Sequence, residues 1–319
     1  MIFSMDIPNT TATIATIPQA PAGFRSGFVA IVGRPNVGKS TLMNQLVGQK
    51  IAITSPVAQT TRNRLQGIIT TPSSQIILLD TPGIHKPHHE LGRVLVKNAI
   101  QAIHSVDLVV FLVDSSATLG RGDRFVVDLL QKTDGPVVVG LNKQDQQPPD
   151  QREELNASYE TLTENHGWPC FKFSALTGEG LSNFQSALEA RLDPGPYYYP
   201  PDLVTDQPER FIMAELIREQ ILLLTRQEVP HSVAIAIEKV EETPERTNVF
   251  AAITVERGSQ KGIIIGQKGS MLQAIGTAAR QQIQKLISGD VYLKLFVKVE
   301  PKWRQSRQQL LEFGYRVEE

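Results

Sequence analysis

Gly33-Arg-Pro-Asn-Val-Gly-Lys-Ser40 is the stretch on which the reading of the fold turns. It has the spacing G-x-x-x-x-G-K-S and lies between an apolar run at 28–32 and a helical pattern near 39–47. Further apolar, β-branched-rich runs of strand length follow at 76–79, 108–113, 137–141 and 169–173. Helical patterns near 91–104, 120–132, 150–166 and 178–192 alternate with them. Strands of this kind are buried on both faces, so residues 25–193 are predicted to form a doubly wound, mostly parallel sheet between helices. This is an α/β domain built on a P-loop.

At 319 residues the chain suits two domains. Residues 194–208 contain five prolines and are read as a stiff linker. A second, smaller α+β domain is placed at 209–319. Residues 1–24 carry one charged side chain, Asp6, and no helical or strand periodicity. They are expected to form a mobile tail and not a secretory signal. No apolar stretch approaches the roughly 20 residues of a membrane span. The single cysteine, Cys170, excludes an intrachain disulfide and a cysteine-based zinc site, and fits a reducing compartment. Net charge is −1, but residues 257–307 hold ten Lys or Arg against Asp290 and Glu300. That stretch is +8 and the remainder −9, which points to a polyanionic partner at one end, with solvated lysines as the plain alternative.

The phosphate site is read from Gly33, Arg34, Pro35, Asn36, Val37, Gly38, Lys39, Ser40 and Thr41. Its glycines let successive N–H groups turn inward toward phosphate oxygens, and the following helix adds its positive end. Lys39 is expected at the β- and γ-phosphates and the Ser40 hydroxyl at Mg²⁺. Asp80-Thr-Pro-Gly83 follows the run at 76–79. Asp80 is placed in the Mg²⁺ shell, and the Gly83 N–H at the γ-phosphate. Gln59-Thr-Thr-Arg-Asn63 is polar and suits a loop that orders around that phosphate. A threonine there would complete the metal shell, Thr61 being preferred to Thr60.

Asn142-Lys-Gln-Asp145 follows the run at 137–141, at the sheet edge where such folds bind ligands. The Asp145 carboxylate can accept from N1–H and N2–H₂ of guanine together, whereas adenine offers neither donor. Lys143 would lay its stem along the base, and Asn142 would tie the loops together. Ser174-Ala-Leu176 follows another short strand, and the Ala175 N–H is expected to donate to guanine O6. Each motif alone is weak. The four in order specify GTP and GDP, with Mg²⁺.

In the second domain a helix at 208–226 precedes strands at 232–240 and 247–255. A short helix, the loop Gly266-Gln-Lys-Gly269, a helix to about 287 and a strand at 291–299 follow. A G-x-x-G loop between helices is the arrangement of a KH domain, in its type II order here, which clamps about four nucleotides of single-stranded RNA. Ile265, Gly266, Gln267, Lys268 and Gly269 are the candidate RNA contacts, with an Ile263, Ile264, Ile265 wall for the bases. Lys261 and Arg280 join them, and Lys285, Lys302 and Arg304 are further candidates for the backbone path.

The four motifs, residues 59–63 and the run Pro82-Gly-Ile-His-Lys-Pro-His-His-Glu-Leu-Gly92 resemble the Era family of bacterial GTPases, over about residues 25–319. The resemblance implies binding near the 3′ end of 16S ribosomal RNA and a role in maturing the small (30S) subunit. It also implies a cytoplasmic location with peripheral contact at the inner membrane; the chain is expected to be a monomer. His85, His88 and His89 are read as a solvated switch segment and not as a metal cluster. Hydrolysis of GTP has a loose, anionic transition state, so catalysis means positioning and charge neutralisation. The catalytic set expected is Lys39, Asn36, Thr61 and Gly83. Ile84 stands where Ras-like proteins place a water-orienting glutamine. Asn36 suggests a K⁺ ion beside the phosphates, as in similar GTPases with asparagine there. Two rivals are a binding module with a merely structural nucleotide, and an RNA-dependent ATPase, which Asp145 opposes.

Overall fold

The computed structural model describes residues 17–55, 65–81, 83–84, 96, 99–133, 135–225, 229–287, 289–306 and 309. In its first part β1 (Arg25–Val32), α1 (Lys39–Val47), β2 (Leu65–Thr70), β3 (Ser74–Asp80) and β4 (Leu108–Asp114) come first. Then follow α2 (Arg121–Leu130), β5 (Val137–Asn142), α3 (Arg152–His166), β6 (Cys170–Lys172) and α4 (Leu181–Glu189). The sheet order is β2-β3-β1-β4-β5-β6. All neighbours run parallel except β2, which pairs antiparallel with β3.

Alternation along β1 explains the layers. Val29 and Ile31 face one apolar cluster with Leu42 and Phe184, while Ala30 and Val32 face another with Val126 and Tyr159. A strand buried on both sides cannot show polar alternation, which is why the parallel strands read as unbroken apolar runs. Strand β2 leaves no unbroken apolar run in the sequence, because Gln66 and Gly67 interrupt its apolar residues. Gly67 is there for space: a Cβ would come within 2.9 Å of Val47 Cγ2 and 3.2 Å of Ile51 Cδ1. Of the helix expected at 91–104, residues 96 and 99–104 are described, all of them helical. The tail residues 1–16, the segment 59–63 with Thr60 and Thr61, and His85, His88 and His89 lie outside the described residues.

The second part contains α5 (Glu209–Leu224), β7 (Ala234–Glu242), β8 (Arg246–Val255), α6 (Gly258–Ile265), α7 (Ser270–Ile283) and β9 (Asp290–Val299). Strands β7 and β8 pair antiparallel, and β9 lies parallel to β8. A parallel pair needs a crossover, and α6 and α7 supply it, leaving Gly266–Gly269 at their junction. Ile217 and Ile221 of α5 pack with Ile253, Ile275 and Ile283 in one core.

The proline-rich stretch between the two parts is strapped to β2 and β3. Ile68 N–H donates to Val204 O at 2.9 Å, and Thr205 Oγ1 to Gln66 O at 2.6 Å. Buried Gln75 accepts from the N–H groups of Tyr198 and Tyr199 at 2.8 and 3.0 Å and donates to Tyr199 O at 3.0 Å. The stretch is thus docked along its length on the first sheet. No helix among the described residues is long and apolar enough to cross a membrane.

Candidate nucleotide site and RNA-facing loop

The phosphate loop leaves the end of β1 and enters α1 at Lys39. Asn36 and Gly38 take left-handed backbone conformations, with φ of 65° and 101°. At Gly38 a Cβ would lie 2.4 Å from Asn142 Nδ2, so only glycine lets the loop meet that amide. Lys39 is buried, and its Nζ donates to Arg34 O at 3.0 Å and Gly33 O at 3.3 Å. Burial pushes its pKa down to about 8, partly opposed by the Asp80 carboxylate. Ser40 Oγ donates to Asp80 Oδ2 at 2.8 Å, which brings together two of the three groups expected at Mg²⁺. A hydroxyl and a carboxylate are oxygen donors that suit this hard cation. Gly83 reaches the loop so closely that a Cβ would meet Pro35 at 2.8 Å.

Not every loop residue faces the site. The Arg34 guanidinium turns away and binds buried Asp123 of α2, Nε to Oδ1 at 2.7 Å. Val37 is buried in the core cluster beneath the loop, and its carbonyl is its polar contribution. Asp123 escaped the sequence reading. The local signal for it was Gly120-x-x-Asp123, in which the carboxylate caps its own helix by accepting from Gly120 N–H at 3.0 Å.

On the base side, Asn142 Nδ2 donates to Val37 O at 2.8 Å, and its Oδ1 accepts from Ala175 N–H at 2.8 Å. The Ala175 N–H expected to face guanine O6 is therefore committed to Asn142 in this structure. Ser174 Oγ donates to Asp145 Oδ1 at 2.6 Å. Lys143 pairs with Asp114 at 2.6 Å. Burial works against ionisation of Asp114, but hydrogen bonds from Lys143 and Ser116 hold its carboxyl below the usual range. Sequence reasoning missed Asp114, though it directly follows the run at 108–113. A cavity of about 740 Å³ is bordered by Lys39, Ser40 and Thr41 at one end and by Lys143 and Leu176 at the other.

In the second part, Gly266 and Gly269 have φ of 72° and 84°, and exposed Lys268 is left-handed at 52°. A Cβ on Gly266 would sit 2.6 Å from Met271 Cβ, so glycine permits the tight turn into α7. The expected wall of three isoleucines is corrected: Ile264 is fully buried in the core, while Ile263 is 46% exposed and Ile265 half-buried. Helical geometry forces the split, because three consecutive residues point in three directions. Gln267, Lys285 and Lys302 are exposed and Lys261 half-buried. Arg280 binds Gln284 at 3.2 Å, and Arg304 pairs with Glu256.

A family model described as a 50S ribosome-binding GTPase matches residues 28–143, and one described as a KH domain matches residues 228–304. GTPase Era of Crocosphaera subtropica is 70% identical over 306 residues, which cover 96% of this chain and 97% of that protein. The chain belongs to the Era GTPase family. GTPase Era of a Nostoc species is 69% identical, over 95% of this chain and 94% of its own. Among solved structures, Era in complex with MgGDPNP and nucleotides 1506–1542 of 16S ribosomal RNA matches with a TM-score of 0.86. Its identity is 37%, over 92% of this chain and 100% of that one. A single-residue variant of Aquifex aeolicus Era bound to GDP·AlF₄⁻ matches with a TM-score of 0.85, at the same identity and coverage.

The depressed pKa of Lys39 has a sign. The ammonium is present below about pH 8 and lost above it, and bound phosphates select the charged form. Affinity of the free chain for GDP should thus fall about tenfold between pH 7 and pH 9 by linkage. Titration calorimetry across that range checks it, and a flat profile contradicts it.

Proposed function

We propose that this Era-family chain is a GTP-hydrolysing switch that binds single-stranded RNA near the 3′ end of 16S ribosomal RNA and assists assembly and maturation of the 30S subunit. One observation carries the reading: the phosphate and base motifs border a single cavity, from Lys39 and Ser40 to Lys143. The relative crystallised with MgGDPNP and nucleotides 1506–1542 of 16S ribosomal RNA supports the RNA half.

In this scheme the loop amides and Lys39 hold the triphosphate, and the Gly83 N–H steadies the γ-phosphate. Ser40, Asp80 and Thr61 hold Mg²⁺, which supplies charge neutralisation on the phosphate oxygens. Asp145 selects guanine, backed by Asn142, Lys143 and the Ser174-Ala-Leu176 turn. Water attacks the γ-phosphorus, and GDP and phosphate leave. Ile84 is 1% exposed and can neither donate nor accept through its side chain, so backbone groups and a cation are left to orient the water. A K⁺ ion at Asn36 would place charge beside the phosphates, where an arginine finger otherwise acts. The left-handed Asn36 at the cavity rim supports this role. The RNA side uses Gly266 to Gly269 with Ile265, Lys261 and Arg280. Family membership also motivates a monomeric, cytoplasmic protein with peripheral contact at the inner membrane.

Two outcomes follow. Turnover of GTP in K⁺ buffer should exceed that in Na⁺ buffer by roughly tens of fold, less than the 10³–10⁵ of an arginine finger. Equal rates remove K⁺ from the scheme. Changing Gln267 and Lys268 together to Asp should abolish binding of a single-stranded 16S 3′-end fragment, followed by fluorescence anisotropy, and spare GTP turnover. RNA affinity that survives intact and keeps its fall with rising salt would contradict the KH assignment.

A further inference from the structure

Glu219 of α5 belongs to none of the motifs above, yet its side chain is 1% exposed and its carboxylate gathers four donors. Lys50 Nζ meets Oε2 at 2.5 Å, and the Thr54 N–H and Oγ1 donate to Oε1 at 2.8 and 3.3 Å. Gln220 Nε2 adds a contact to Oε2 at 3.2 Å. Three of the four donors come from the first domain, in the connection that leaves α1. Ile53, between them, is 3% exposed and joins the second domain's apolar cluster with Ile217 and Ile221. The same connection lines the nucleotide cavity through Lys50, Thr54 and Ser55, together with Glu219, Gln220 and Gln282 of the second domain. A buried carboxylate so engaged resists displacement, because moving its partners away would leave the charge uncompensated.

We propose that Glu219 is a positioning residue of the nucleotide site supplied by the RNA-binding domain: it holds residues 50–55 as a wall of the cavity, so that retention of a guanine nucleotide depends on how that domain is seated. The proposal rests on the GTP-binding reading above and adds a second-domain group to the site. Glu219 touches no phosphate in this scheme. It acts through Lys50 and Thr54.

The test is release of a fluorescent GDP analogue from the full-length chain, compared with Glu219→Gln, Lys50→Met and the double variant. Each single change should accelerate release roughly five- to tenfold, the range expected when one hydrogen bond of ordinary net strength is lost. The double variant should release no faster than the faster single, since both remove one shared contact. Lys50 is 34% exposed, so its replacement keeps the test available if the change at buried Glu219 prevents folding. In that event acceleration by Lys50→Met is required, together with acceleration by Thr54→Pro, which removes the N–H that Glu219 accepts. Release rates equal to the parent's overturn the proposal. So do effects that multiply in the double variant, because they would mean that Lys50 acts on the nucleotide independently of Glu219. A parent chain that retains no guanine nucleotide overturns the functional reading beneath it, which is a different result.

Discussion

One buried carboxamide sets the frame of the nucleotide site. Asn142 stands at the end of β5 and reaches both ways, donating to Val37 O of the phosphate loop and accepting from the Ala175 N–H of the last motif. Its own carbonyl accepts from Ser115 N–H at 2.9 Å and from Ser115 Oγ at 2.6 Å. Three loops that meet only in space are thus referred to one residue, two through its side chain and one through its backbone carbonyl. Gly38 is glycine because that amide occupies the place of its Cβ. Gln144, the variable position of N-K-x-D, extends the frame by donating to Ser115 Oγ and to Asn156 Oδ1. Such a buried, interlinked set of amides is costly to break at any one member, which suits the base-selecting role proposed for Asp145.

The end of the cavity proposed for phosphate is arranged on the same logic, around the charges of Lys39 and Asp80. Lys39 is held over the loop by backbone carbonyls, and burial lowers its pKa. Asp80 is buried at the end of β3 against Ser40. Both strand ends are fixed by parallel pairing of β1 with β3, so the distance between the two groups is a property of the sheet.

Much of this was legible beforehand, for reasons visible in particular residues. The P-loop and its flanking strand and helix were legible because glycine spacing and a strand buried on both faces leave strong local marks. The order of elements in the KH domain was legible from the turn glycines Gly266 and Gly269 between two helical patterns. Strand β2 was not, because an edge strand needs few apolar residues, and Gly67 reads as a break until the packing of Val47 and Ile51 is seen. The partners of Arg34 and Lys143 were also hidden. Asp123 is 89 residues from Arg34 along the chain and Asp114 is 29 from Lys143, and no local pattern encodes such a pair. Nor could sequence show that Ile264 turns inward between Ile263 and Ile265, or that Ala175 gives its N–H to Asn142.

The central claim is that a carboxylate at the sheet edge selects guanine while the loop beside it holds phosphate. Equilibrium displacement of a bound fluorescent GDP analogue by GTP and by ATP tests it most directly on the intact chain. The account predicts that ATP competes at least roughly 10³-fold more weakly, since a site built around hydrogen bonds to one base rejects another that lacks the donors. Displacement by ATP within tenfold of GTP would contradict it.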